Sequence, residues 1–422
     1  MLYLVIALTI FVVAYIVIIT ERLNQTVVTL FAGALMIILG VIHQETAIEA
    51  IDFNTLGLLL GMMIIVEIIK GTGVFQYIAI KSAKLAKGNP VLILVYISII
   101  TAVASAFLDN VTTILIVLPL TFIIADTLEI TPVPFLMSEI LLSNIGGAAT
   151  LIGDPPNILI GSAAGLGFND FIITLAPLVM IIGVTVIFLL NRIYGKKFKV
   201  APEVQQRIMD FSPSKLLENM KMVKRSFFVL SVTLLLFIFH QPLNLEAATV
   251  ALGGAGLLLI LTKINPTDIL KEVEWTTIFF IMGIFVLVAG LERVGIIDFL
   301  GTTLVFLAGG NIYLLALVFI WVAGIGAAFF GAIPLVVTMI PIVQHIGFTT
   351  GIPVLPLWWS LALGACLGGN GTILGSAANV AAVGIYQNSG KRFTWLEFFR
   401  IGFPITILSL LIATVYVFMF LI

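Results

Sequence analysis

Residues 134–160 are apolar enough to cross a membrane, yet they contain the run Ser143-Asn144-Ile145-Gly146-Gly147-Ala148-Ala149-Thr150-Leu151-Ile152-Gly153-Asp154-Pro155-Pro156-Asn157, which cannot stay helical. Two adjacent glycines, a third before an aspartate and a Pro-Pro pair remove helix propensity and backbone donors together. A broken backbone at membrane depth survives only where it lines a cavity or is covered by protein. Such breaks mark binding sites. A plain Pro/Gly kink needs neither a carboxylate nor a cluster of amides, and this run has both.

The rest of the chain has the same solvent. Of 422 residues, 61% are hydrophobic and 10% charged, where a soluble domain carries about 25% charged residues. The chain is therefore expected to be an all-α polytopic membrane protein of the cell membrane, with the lipid bilayer as its main partner. A net charge of −1 and the absence of a basic face with interleaved aromatics argue against nucleic acid. The single cysteine, Cys366, makes neither a disulfide framework nor a thiolate metal site. His43, His240 and His345 lie near expected span ends, form no ligand cluster, and read as interfacial side chains. No cofactor is expected beyond a coupling ion.

In chain order, Leu2 to Thr20 reads as a first span, because it lacks the basic start and small-residue cleavage pattern of a signal peptide. Gln25 to Ile42 and Asn54 to Ile69 follow, and Gly73 to Lys87 reads as an amphipathic arm on the membrane surface. Val91 to Thr127 is interrupted at Asp109-Asn110-Val111-Thr112-Thr113, as a re-entrant hairpin or as two spans joined there. Pro134 to Ile160 is the broken span and Ile172 to Leu190 the next. Residues 191–225 hold nine of the twenty Lys and Arg residues and read as a cytoplasmic linker. The pattern then restarts.

A constant shift of 222 positions aligns the two halves. Gly61 falls on Gly283, Gly73 on Gly295, Pro119 on Pro341, Gly146-Gly147 on Gly368-Gly369, Thr150 on Thr372, Gly153 on Gly375 and Asn157 on Asn379. One shared register across so many positions is the mark of an internal repeat. Residues 1–190 and 226–422 are thus expected to be two repeats, each with five spans, a re-entrant hairpin and a broken helix. An odd number of crossings per repeat makes them inverted. Placing the linker in the cytoplasm leaves Arg293 as the one basic residue outside and puts both termini on the extracytoplasmic side, as the positive-inside rule requires. Inverted repeats with broken helices are the architecture of alternating access.

Asp109 and Asp154 sit in interruptions within expected spans, where a carboxylate costs about 2.5 to 3.5 kcal/mol on insertion scales. Around them are Asn110, Thr112 and Thr113, and Asn144, Thr150 and Asn157. Oxygen ligands of this kind suit Na⁺ or a proton, with Asp109, Asn110, Asn144 and Asp154 as the expected Na⁺ ligands. Asp154 is also expected to cap the helix that restarts at Pro155. The second repeat keeps Asn370, Thr372, Ser376 and Asn379, but Gly331 replaces Asp109 and Ser376 replaces Asp154. Coupling is therefore expected on the first repeat, with amides and hydroxyls of the second holding what is carried. Glu67 and Glu139 are expected near cytoplasmic span ends, solvated.

Residues 107–113 and 144–157 resemble the signature of the ion transporter superfamily. The resemblance is to the branch of the P protein, the arsenical pump (ArsB-type) permeases and the NhaD-type sodium/proton antiporters, with a citrate transporter-like domain. A more distant likeness is to divalent anion/sodium symporters, from which the second tip, Gly331-Ala332-Ile333-Pro334, departs. The resemblance implies two re-entrant hairpins, a homodimer and an elevator-type movement.

Three classes of function compete. A secondary active transporter, coupled to H⁺ or Na⁺ through Asp109 and Asp154 and carrying a small ion or solute, accounts for paired breaks and asymmetric carboxylates. A channel would need a continuous polar path and no paired breaks. An enzyme would need a nucleophile and base or a metal cluster, and none stands at usable spacing. No P-loop is present, so the chain is not itself an ATPase, which leaves room for a separate ATPase subunit. Within the transporter class, sodium/proton exchange, arsenite or antimonite efflux, and dicarboxylate or citrate symport remain open.

Overall fold

The computed structural model describes every residue except 21, 214–216 and 218, so part of the 191–225 linker lies outside the described residues. Among the described residues there are helices and no strands. The first half runs α1 (Leu2–Ile19), α2 (Gln25–Ile38), α3 (Gln44–Glu49), α4 (Phe53–Lys70), α5 (Val74–Leu85), α6 (Pro90–Phe107), α7 (Asn110–Thr127), α8 (Val133–Gly147), α9 (Pro155–Ala164) and α10 (Phe168–Tyr194). After the short α11 (Pro202–Arg207) come α12 (Met220–Phe239), α13 (Ala247–Thr262), α14 (Pro266–Glu272), α15 (Trp275–Arg293) and α16 (Ile296–Leu307). They are followed by α17 (Ile312–Phe330), α18 (Ala332–Thr350), α19 (Leu355–Gly368), α20 (Ala377–Asn388) and α21 (Trp395–Phe420).

Among the described residues ten helices, α1, α4, α6, α7, α10, α12, α15, α17, α18 and α21, are long and apolar enough to cross a membrane. The chain is a multi-span membrane protein. α6 and α7 are each 18 residues, about 27 Å at 1.5 Å per residue, so both limbs of the interrupted segment 91–127 are full helices.

Helix starts obey the 222-residue register. The first residues of α2, α3, α4, α5, α6, α7, α8 and α9 fall on those of α13, α14, α15, α16, α17, α18, α19 and α20. Their caps repeat as well: Asn89 accepts from Val91 N and Leu92 N at the start of α6, and Asn311 from Tyr313 N and Leu314 N at the start of α17. Contacts between the halves are reciprocal. α4 crosses α13 where Gly61 meets Ala251, and α15 crosses α2 where Gly283 meets Thr29, and the register carries Gly61 to Gly283 and Thr29 to Ala251. A Cβ on Gly61 would stand 2.6 Å from the Ala251 carbonyl carbon, and one on Gly283 2.7 Å from that of Thr29.

α8 and α19 form the centre. Every residue of α8 from Pro134 to Gly147 is buried, as is every residue of α19 from Pro356 to Gly368. In a bilayer the polar residues Ser138, Glu139, Ser143 and Asn144 of α8 face protein rather than lipid, which places the helix inside the bundle. This corrects the expectation for Glu139, which is 0% exposed rather than solvated. Its neighbours on α8 are all covered by other helices, so the polar residue has no route to the interface. Glu67, only partly exposed, pairs with Lys70 at 3.0 Å near the end of α4.

The described part of the linker is docked. Ile208 is fully buried against a cluster that includes Ala83, Leu94 and Phe135, and Lys84 Nζ donates to Phe211 O at 2.7 Å.

Candidate ion and solute site

Each break is held by the side chains its own sequence supplies. Thr150 Oγ1 donates to Ala106 O on α6 and accepts from Gly153 N at 3.1 Å, while Thr372 Oγ1 donates to Ala328 O on α17 and accepts from Leu374 N at 3.1 Å. Asn157 Nδ2 donates to the carbonyls of Gly147, Ala148 and Thr150, and Asn379 Nδ2 to those of Gly369 and Thr372. These amides replace the helical hydrogen bonds that the breaks remove. Close packing does the rest: Gly146 lies on the backbone of Ala102 and Gly368 on that of Gly324, with no room for a Cβ.

All four interruptions open onto one cavity of about 140 Å³. Asp109 and Asn110 line it from the turn between α6 and α7, Gly331, Ala332 and Ile333 from that between α17 and α18, and Asp154 and Ser376 from the two broken helices. Asn144 is the hub. Its Nδ2 donates to Asn370 Oδ1 and Asn379 Oδ1, both at 2.9 Å, and its Oδ1 accepts from Asn110 Nδ2 and Ser376 Oγ, both at 3.0 Å. Asn110 Nδ2 also stands 3.5 Å from Asp154 Oδ1. One amide thus ties together both halves of the chain.

Of the residues read from the sequence, Asp109, Asn110, Asn144, Asp154 and Ser376 line the cavity, and Asn370 and Asn379 reach it through Asn144. Thr150, Thr372 and Asn157 brace the breaks. Thr112 N donates to Asp109 Oδ1 at 2.7 Å and Thr113 Oγ1 to Asp109 O at 2.9 Å, so both complete the first turn of α7. Asp154 occupies the N-cap position of α9 but makes no side-chain cap bond, which corrects the expectation that it caps. Its carboxylate turns instead toward Asn110 and the cavity. Ser376, its counterpart, does cap, accepting from Ala378 N at 3.3 Å.

Gln25, Glu274, Thr277 and Cys366 also line the cavity and were missed. Glu274, just before α15, lines the cavity with Thr277 Oγ1 donating to it at 3.2 Å. Nothing in its local sequence marks it, since tertiary packing alone brings the start of α15 to the site. Cys366 lines the cavity too, and its Sγ donates to Asn157 Oδ1 at 3.4 Å. Here a signal existed, because the 222-residue register sets Cys366 on Asn144. The two make matching bonds, Asn144 to Asn379 and Cys366 to Asn157.

The charge of the cavity is one-sided. Asp109, Asp154 and Glu274 line it, and among the described residues no Lys, Arg or His does. Asn110, Asn144 and Ser376 add amide and hydroxyl groups to the lining.

A second cavity, about 330 Å³, is lined by Asn54, Ser162, His240, Gln241 and Glu246, and Ile158 is shared by both. His240 is 6% exposed and neither ring nitrogen has a partner, so it is enclosed rather than interfacial. Burial holds its imidazole below the usual histidine range, opposed by the nearby carboxylates of Glu246 and Asp170.

A membrane-embedded helical bundle whose breaks meet at one carboxylate-lined cavity defines a membrane transporter. The chain belongs to the citrate transporter (CitMHS) family, whose model matches residues 15–364. An uncharacterized transporter of Mycobacterium tuberculosis is 38% identical over 418 residues, 98% of this chain and 97% of its own length. A 46 kDa membrane protein of Mycobacterium leprae is 38% identical over 423 residues, with the same coverage. The P protein of Sus scrofa is 31% identical over 486 residues, covering 95% of this chain and 58% of that protein.

Proposed function

We propose that this protein is a secondary active transporter that moves a small ion or solute by alternating access, coupled to H⁺ or Na⁺ through Asp109 and Asp154. The observation that carries this is the charge of the central cavity, three carboxylates and, among the described residues, no basic side chain. Carboxylates drawn from separate elements into one cavity within the bundle favour a cation or protons among them. A cation-exchanging cycle, as in sodium/proton antiport, supplies these directly.

Family membership favours a second reading, in which a carboxylate such as citrate is carried together with a cation that neutralises it. Arsenite or antimonite efflux is a third form of the same cycle. Residues 1–190 and 226–422 act as inverted repeats about a two-fold axis, a reading supported by the reciprocal contacts of Gly61 and Gly283. The turns at Asp109 and Gly331 serve as hairpin tips, the movement is of elevator type, the unit is a homodimer in the cell membrane, and both termini face outward.

Purified protein in liposomes, assayed against Na⁺, arsenite and citrate with imposed pH and sodium gradients, tests this. Saturable flux driven by an ion gradient is expected. Flux that neither saturates nor responds to a counter-ion gradient would mean a channel and end the proposal.

A further inference from the structure

Glu139 has no place in the cavity just described, and its surroundings are unusual for a carboxyl. It is 0% exposed at the middle of α8, and neither Oε1 nor Oε2 has a hydrogen-bond partner. Thr121 on α7 faces it, but that hydroxyl gives its own proton to Val117 O at 3.1 Å. With its proton on Val117 O, the Thr121 oxygen offers lone pairs, which suits the O–H of a carboxylic acid.

Among the described residues no cation pairs with Glu139. On the helices packed against α8, Asp126 pairs with Lys391 at 3.2 Å, Cys366 donates to Asn157, and Tyr416 donates to Thr174 O. Tyr96, Asp170, Arg192, Tyr194, Tyr386, Glu397 and Arg400 on those helices make no hydrogen bond or ion pair with Glu139. An enclosed carboxylate with neither cation nor donor is not sustainable, so the group needs a bound proton.

The fold does not require an acid there. In the 222-residue register Glu139 corresponds to Leu361 and Thr121 to Val343, both 0% exposed. The other half of the chain fills the same position with an apolar pair of similar size. The polar pair is thus an addition to the packing, and Glu139 stands only five residues before the hub Asn144 on the same fully buried helix.

We infer that Glu139 is a proton-binding site separate from the central cavity, with Thr121 Oγ1 on the facing helix as the acceptor for its proton, and that this proton exchanges during transport in addition to the ion held at Asp109 and Asp154. The coupling half of this rests on the function proposed above, while the protonation half does not. Infrared spectroscopy of the full-length protein in lipid reads the first half directly. A protonated-carboxyl carbonyl band is expected in the wild type, retained in Asp109→Asn and Asp154→Asn, and lost in Glu139→Gln and Glu139→Leu. The leucine variant copies what the other half already packs, so it is expected to fold. In liposomes both Glu139 variants should keep flux driven by a gradient of the carried species and lose flux driven by a pH gradient.

A band that survives unchanged in Glu139→Leu, or a wild type without one, overturns the site. Loss of the band with pH-driven flux intact overturns its role in coupling. Loss of the band together with normal coupled transport by Asp154→Asn leaves the proton site standing and removes the proposed role of Asp154 instead.

Discussion

Replacing Asn144 by alanine removes four hydrogen bonds at the point where the two halves meet. Asn110 Nδ2 and Ser376 Oγ retain other polar neighbours, since they stand 3.4 Å from each other. Asn370 Oδ1 and Asn379 Oδ1 lose the donor that each had at 2.9 Å. Both residues are 0% exposed, so water does not replace it. Leaving a buried acceptor unpaired costs about 1 to 3 kcal/mol, which puts Asn144→Ala at about 2 to 6 kcal/mol for the two. That is a large part of the roughly 5 to 15 kcal/mol by which folded domains are stable. The chain carries its own probe: Cys366 is the sole cysteine and is 1% exposed, so a thiol-reactive dye labels it only when the bundle opens. The labelling midpoint on heating should fall well below that of the wild type, with circular dichroism falling in step. Thr9→Ala, which removes one exposed bond to Val5 O, should leave it unmoved. An Asn144→Ala midpoint equal to the wild type would refute the assignment of Asn144 as the tie between the halves.

Cysteines introduced at the exposed positions Glu203 and Gln44, in a Cys366→Ser background, should label from opposite sides of the membrane; labelling from one side would sink the proposed topology. Burial holds the His240 imidazole below its usual range in the folded chain, so the unfolded chain takes up the proton first. Stability should therefore be present above 6.5 and lost as pH falls through that value, and the difference in melting midpoint between wild type and His240→Gln should follow this course. Ile208→Asp buries a charge in the cluster under α5 and α8, and limited proteolysis in the linker should rise sharply relative to Glu203→Ala at an exposed site; equal cleavage would mean that the docked linker contributes nothing.

The helix plan was legible because glycines, prolines and cap residues punctuate both halves at one spacing, and the starts of eight helices keep that register. The short helices α3 and α14 were not anticipated, since segments of 6 and 7 residues carry too little periodicity to stand out. The cavity was legible wherever a polar residue interrupts an apolar run, as at Asp109, Asn110, Asn144, Asp154 and Ser376. What escaped depended on tertiary neighbours. Glu274 reaches the cavity because α15 starts beside it, and Glu139 is enclosed because six other helices surround α8. Asp154 looked like a cap by position, and Ser376 does cap from the same extended backbone, but the Asp154 carboxylate stands 3.5 Å from Asn110 Nδ2 instead.

Coupled flux through the Asp154→Asn variant tests the account most directly. Asp154 is 6% exposed, lines the cavity and lies 3.5 Å from the Asn110 amide, and asparagine keeps its shape while removing its charge. In liposomes with imposed sodium and pH gradients, the wild type should drive its cargo uphill, and Asp154→Asn, folded and inserted to the same extent, should fail to do so. Uphill transport by Asp154→Asn at wild-type rates across all sodium and pH gradients would contradict the account.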